Sequence, residues 1–171
     1  MVLLNSENLE LGTPLISFEL KNIDEDTFSS DSFTKDTVVI AFICNHCPYV
    51  IEIIEDFSKL ALKLKDRVDF VTISANDPAY RNEDSFENMK LFHEKYNFSF
   101  PYLFDESQEI AKKYQAVCTP DIYTYKKIDG EYKLAYHGAF EYLEESILKL
   151  EAGETQVQEG KPSIGCSIKW K

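Results

Sequence analysis

Short apolar runs alternate with stretches of helical period along this chain. Pro14–Leu20 (PLISFEL) and Val38–Ile43 (VVIAFI) are short and rich in β-branched and aromatic residues, and predict strands. From Pro48 to Asp66, Val50, Ile54, Phe57 and Leu60 recur three or four apart, which predicts a helix opened by its proline. Val68–Ser74 predicts a buried strand. Asp84 with Glu87 forms a capping box for a helix running to about Tyr96. FPYLFD (100–105) predicts a short strand, and Asp105 with Gln108 caps a helix over 106–116. Two strands follow within Asp121–Gly138, joined across the Asp129-Gly130 turn. A last helix, 140–153, ends at Gly153. Residues 154–171 carry turn chemistry without a clear period.

Strand–helix–strand units, a hairpin and a closing helix predict an α/β fold, a mixed sheet covered by helices. No repeat, low-complexity tract or linker divides the 171 residues, so one domain over 1–171 is expected, with 154–171 as a tail packed on it. In that tail Ile164, Ile168 and Trp170 form the apolar strip. The formal net charge of −12 disfavours nucleic-acid and anionic-membrane partners. The N-terminus has no basic region before its short apolar start, and no window reaches the roughly 18 apolar residues of a membrane span. A cytoplasmic protein is expected, and in a reducing compartment four cysteines read as redox or metal chemistry rather than structural bridges.

Cys44 and Cys47 form a CxxC between a strand and a helix start. If Pro48 is the first helical residue, Cys47 is the N-cap, where the amides of Tyr49 and Val50 and the helix dipole favour a thiolate. His46 lies between the two cysteines and, when protonated, adds to that stabilisation. Tyr49, beside Cys47, is placed either to shape a partner groove or to pack. Cys118 comes two residues before Pro120, at a strand entry, and reads equally as a third redox thiol or a packed one. A zinc site from Cys44, Cys47 and Cys118 with His46 or Cys166 would usually take two CxxC pairs, and only one exists. No metal and no organic cofactor is therefore expected. Cys166 is expected to pack as a small hydrophobe. His93 and His137 suggest no role.

The segments FICNHCPYV, ANDPAYRNEDSFENMK, FPYLFDESQEIAKKYQAVCTPD and KPSIGCSIKWK resemble the thioredoxin superfamily. More narrowly, they look like its peroxiredoxin-like redoxin branch, akin to alkyl hydroperoxide reductase and thiol-specific antioxidant proteins. The resemblance runs from about residue 10 to the end. It implies a thioredoxin-like fold, a central mixed sheet with helices on both faces and a C-terminal hairpin and helix. It also implies a thiol–disulfide site at Cys44 and Cys47, faced by a cis Pro120, with the Thr119 backbone offered to an extended substrate. Aligned through CPYV, Cys47 takes the nucleophile's place and Cys44, or Cys118, resolves. Aligned by its two cysteines, Cys44 attacks and Cys47 resolves. The helix start and the proline favour the first register.

In a peroxiredoxin a threonine stands three residues before the peroxidatic cysteine. Cys44 holds that place here, and no arginine is assigned to peroxide binding. The resulting expectation is a thiol–disulfide oxidoreductase acting on protein or small-molecule disulfides, recharged by a thiol reductant of the thioredoxin or glutathione kind. A thiol peroxidase is the alternative within the class. A redox-sensing or binding module without turnover is the alternative outside it.

Overall fold

The computed structural model describes residues 2–171. In chain order the elements are β1 (Leu3–Asn5), β2 (Glu19–Asn22), β3 (Thr27–Ser29), β4 (Thr37–Phe42), α1 (Pro48–Leu64), β5 (Val68–Ser74) and α2 (Phe86–Lys95). There follow β6 (Tyr102–Phe104), α3 (Glu109–Lys113), β7 (Cys118–Thr119), β8 (Asp121–Ile128), β9 (Glu131–Gly138), α4 (Leu143–Glu151) and β10 (Ile164–Ser167). Seven strands form a mixed sheet in the order β3-β2-β6-β5-β4-β8-β9, with β4, β5 and β6 parallel and the rest antiparallel. A second, three-stranded sheet has the order β1-β10-β7.

Strand β4 is buried at every residue, as a central strand with both faces covered must be. Its side chains divide by parity. Val39 and Ala41 join the apolar faces of α1, α2 and α4, including Ile54, Phe57, Met89, Leu143 and Ile147. Val38, Ile40 and Phe42 face the other way, onto α3 and a cluster holding Phe18, Tyr114 and Tyr123. The stripe expected on α1 is the buried one, with Val50, Ile54, Phe57 and Leu60 inward. The hairpin turn has positive φ at Asp129 (52°) and Gly130 (84°), the backbone that an Asp-Gly turn between twisted strands adopts. No helix among the described residues is long and apolar enough to cross a membrane. This is a thioredoxin-like architecture.

Four local expectations change. Of Pro14–Leu20 only Glu19 and Leu20 are in a strand, the start of β2, and 14–18 are not. The chain there lies beside β9 through single bonds such as Gly12 N–H to Leu134 O (2.7 Å) and Leu15 N–H to Tyr132 O (2.9 Å). Pro14 has no N–H to continue a ladder. Asp84 does not cap α2; Ser85 does, its hydroxyl accepting from the Asn88 amide (3.2 Å), because the Asp84 carboxylate is buried and held by other donors. The helix expected over 106–116 shrinks to Glu109–Lys113, since Gln108 is left-handed (φ 67°). Asp105 still serves the helix start, accepting from the Ala111 amide (2.8 Å).

The tail holds the fourth change. Expected to have no regular element, it contains the strand β10, with Ile164 exposed and Ile168 buried beyond it. Gln108 ties down its end by donating to the carbonyls of Ala75 and Lys169 (both 2.8 Å) and accepting from the Lys171 amide (3.0 Å).

Candidate thiol site

Strand β4 delivers the chain to a short loop, and that loop ends where α1 begins. Cys47 is the N-cap of α1 and Pro48 opens the helix. Its sulfur makes no capping hydrogen bond, because the Val50 amide donates to the Cys47 carbonyl (3.0 Å). That amide still lies close enough to help hold a thiolate.

Opposite the helix start, β7 brings Cys118 and Thr119 to a cis Thr119–Pro120 bond. The Cys47 sulfur is 3.4 Å from the Thr119 carbonyl oxygen, to which its thiol form donates. The Cys44 sulfur is 3.4 Å from the Thr119 hydroxyl. Cys44, Cys47, Cys118, Thr119 and Pro120 are all buried, whereas Tyr49 is half-buried against the core under α1.

The strand β10 completes the arrangement. Cys166 pairs directly with Thr119 in the antiparallel β10–β7 ladder, and its sulfur stands 2.6 Å from that of Cys47. The expectation that Cys166 merely fills space holds for its burial, at 2% exposure, but not for its neighbour. Thr119, whose backbone was expected to receive an extended substrate, is paired with the chain's own tail. None of the four cysteines, all described, is in a disulfide.

These contacts separate the thiols in acidity. The Cys47 thiolate accepts hydrogen bonds from Cys44, then from Cys166, and its pKa is lowered to about 4 against the opposing effect of burial. Cys44 is raised well above its ordinary value, first because its proton is held on the Cys47 sulfur, then by burial and the Asp84 charge. Burial, with the Cys47 hydrogen bond and charge behind it, pushes Cys166 up to about 12, and Lys169 opposes that shift. Cys118 is also raised, chiefly by burial and then by Asp121.

The CNHC loop is anchored from below by Asp84, the residue expected to cap α2. Its carboxylate accepts from the Asn45 amide (2.8 Å) and the Asn76 side chain (2.9 Å), and bonds His46 Nδ1 (2.5 Å). Tyr102, buried on β6, donates to the Asn45 side-chain oxygen (2.7 Å). His46 thus faces Asp84 rather than either sulfur in its recorded bond. Behind the cis bond, the Asp121 carboxylate bonds His137 Nε2 (2.8 Å) and accepts from the Tyr123 hydroxyl (3.1 Å). His137 therefore has a buried partner that the sequence did not suggest.

Cys44, His46 and Asp84 offer ligand atoms within 4.8 Å of one another, the one such group among the described residues. It supplies three donors, short of the four of a closed structural zinc site, and the carboxylate already serves two amides. A groove of about 800 Å³ lies elsewhere, between residues 6–11 and 156–162, and none of the four cysteines lines it. The two arginines differ in place: the Arg81 carbonyl accepts from the Asp84 amide (3.0 Å), while Arg67 lies elsewhere. Arg67 bonds Glu151 (2.8 Å) near the end of α1, and Arg81 is exposed.

Solved structures of the same form exist. An uncharacterized conserved protein from Geobacillus kaustophilus is 37% identical, with a TM-score of 0.94 over 100% of this chain and 97% of that one. A hypothetical protein from Sinorhizobium meliloti 1021 is 32% identical, with a TM-score of 0.93 over 98% of each. A secreted Mycobacterium tuberculosis disulfide oxidoreductase homologous to E. coli DsbE is 20% identical, with a TM-score of 0.63 over 77% of this chain and 95% of that one, a likeness of fold alone. No curated protein matches. The AhpC/TSA family profile matches residues 11–147, the span that carries the CNHC loop, the cis-proline turn and the sheet between them, and the chain belongs to that family of thioredoxin-like redoxins.

Proposed function

We propose that this redoxin is a thiol–disulfide oxidoreductase whose nucleophile is Cys47. The observation that carries the reading is the Cys47 sulfur at the N-terminus of α1, 2.6 Å from the Cys166 sulfur, where hydrogen bonds from Cys44 and Cys166 lower its pKa. The thiolate is the reactive form of cysteine, and such a site attacks a disulfide sulfur in line. Cys47 forms a mixed disulfide with one half of the substrate and releases the other half as a thiolate. A second thiol then displaces the bound half and leaves an intramolecular disulfide. Cys44 and Cys166 both hydrogen-bond the Cys47 sulfur and are the candidates for that step. An external dithiol or glutathione-type reductant restores the dithiol, and a reducing compartment such as the cytoplasm suits the cycle. Thr119, Pro120, Tyr49 and His46 border the path by which a substrate sulfur reaches Cys47.

A thiol peroxidase is the second reading, favoured by membership in the AhpC/TSA family. There Cys47 would attack a peroxide oxygen, become a sulfenic acid and condense with the second thiol, releasing water. Cys44 in place of the peroxiredoxin threonine, and the surface contacts of Arg67, weigh toward disulfides.

Turnover of a small model disulfide with dithiothreitol as reductant tests the proposal, beside loss of hydrogen peroxide under the same conditions. Disulfide turnover is expected to exceed peroxide loss, and Cys47→Ser should lower it by roughly a hundredfold or more. Faster peroxide loss selects the second reading. Absence of both turnovers, in a protein that changes shape between oxidised and reduced forms, makes it a redox-sensing module.

A further inference from the structure

We propose that Cys166 is the resolving thiol, delivered by the tail strand β10, which occupies the groove at the cis-proline loop as an internal extended substrate. The assignment rests on the oxidoreductase reading above and names the residue that completes its second step.

Three observations converge. The Cys166 sulfur is 2.6 Å from that of Cys47, although 119 residues separate them. The register puts Cys166 directly across from Thr119, with Ser167 across from Cys118, so the tail backbone is bonded where an incoming peptide's would be. Gly165 makes this approach possible, because a side chain at 165 would collide with the Thr119 carbonyl.

The neighbours of the two candidate thiols differ as well. A resolving cysteine must give up its proton as it attacks. The charged neighbours of Cys44 are Cys47 and the Asp84 carboxylate, both opposing ionisation. Cys166 also faces the Cys47 sulfur, but Lys169, three residues further along the chain, favours its thiolate.

The cycle closes on this geometry. Cys47 is fully buried, so a substrate disulfide R–S–S–R′ gains its sulfur only when β10 lifts. The strand is held by two short ladders, three residue pairs to β1 and two to β7. Cys47 attacks, the S–S bond of the substrate breaks, and R′–S⁻ leaves. As β10 returns, the Cys166 sulfur attacks Cys47 in the mixed disulfide, R–S⁻ leaves, and the Cys166 proton passes to a departing thiolate. Two electrons have moved from the Cys47–Cys166 dithiol to the substrate. An external dithiol reverses the change in the protein.

The test is to treat the reduced full chain with glutathione disulfide and map the products by mass spectrometry of an unreduced tryptic digest. Cys44 and Cys47 share the peptide 36–59, while Cys166 lies on 150–169, the Lys161-Pro162 bond resisting trypsin. A Cys47–Cys166 bridge joins two peptides, and a Cys44–Cys47 bridge stays within one. The joined pair is expected in the wild-type protein and in Cys44→Ser. Cys166→Ser should instead accumulate glutathione on Cys47, with its melting temperature checked against the wild type. An internal Cys44–Cys47 bridge, with the tail thiol unmodified in an enzyme that turns over, overturns the role of Cys166 and leaves the oxidoreductase reading standing. Failure of glutathione disulfide to modify Cys47 at all overturns both.

Discussion

Gly165 lies against the carbonyl of Thr119, so close that no β-carbon fits between them. The contact joins the tail strand to the cis-proline loop and sets the distance at which Cys166 meets Cys47. A packing constraint on one residue thereby sets how closely two thiols approach.

Replacing Gly165 by alanine should push β10 away from β7. Overpacking of this kind costs about 1–3 kcal/mol. The expected signs are a lower melting temperature and faster alkylation of Cys47 by iodoacetamide, because its cover is loosened. An unchanged alkylation rate in a folded variant would mean that β10 is not what shields the sulfur.

Asp84 is the second point of control. Asp84→Ala leaves the Asn45 amide and the Asn76 side chain without their acceptor inside the fold, at a cost of roughly 3 kcal/mol. It also removes a negative charge that opposes ionisation of Cys44, so the Cys44 thiolate should form at lower pH. Urea unfolding measures the first effect, and pH-dependent alkylation of Cys44 in a Cys47→Ser background measures the second. Equal midpoints for the variant and wild type would show that the CNHC loop does not depend on this anchor.

The pH dependence of stability follows from the same thiols. Cys47 is lowered to about 4 in the fold, whereas an unfolded cysteine titrates near about 8.5. Between those values the unfolded chain carries a proton that the folded one lacks. Stability from Cys47 therefore grows with pH across this window and is lost as pH falls through the folded value. Cys44 and Cys166 are raised, so their contribution is full below about 8.5 and declines above it. Denaturant unfolding of the reduced protein at pH 5 and pH 8 checks the sign. The advantage of the wild type over Cys47→Ser should widen between those two values, and a constant difference would contradict the Cys47 shift.

What could be read from the sequence was what is encoded locally. The α1 stripe, the Asp-Gly hairpin and the place of Cys47 ahead of Pro48 each depend on residues a few positions apart. Gln108 shows the local limit, since a left-handed backbone at a glutamine leaves no pattern to read and shortened α3. Asp84 has the residues of a cap, and only the fold shows that donors from Asn45 and Asn76 take its carboxylate. The strand β10 is four residues long, too short to show a period, and its place is set by pairing with β1 and β7. Its CxxC-like partner is spelled out across 119 residues, a distance over which spacing carries no information.

That separation has a consequence for the order in which bonds are made. In a disordered chain, closing a loop becomes harder as the loop lengthens, so Cys47 would meet Cys44 far more often than Cys166. If Cys166 resolves as proposed, only the finished fold inverts that preference, by carrying two chain segments to one point. Oxidation of the nascent chain and oxidation of the mature protein should then leave different bridges, and the bridge found in a sample dates the moment at which it was oxidised.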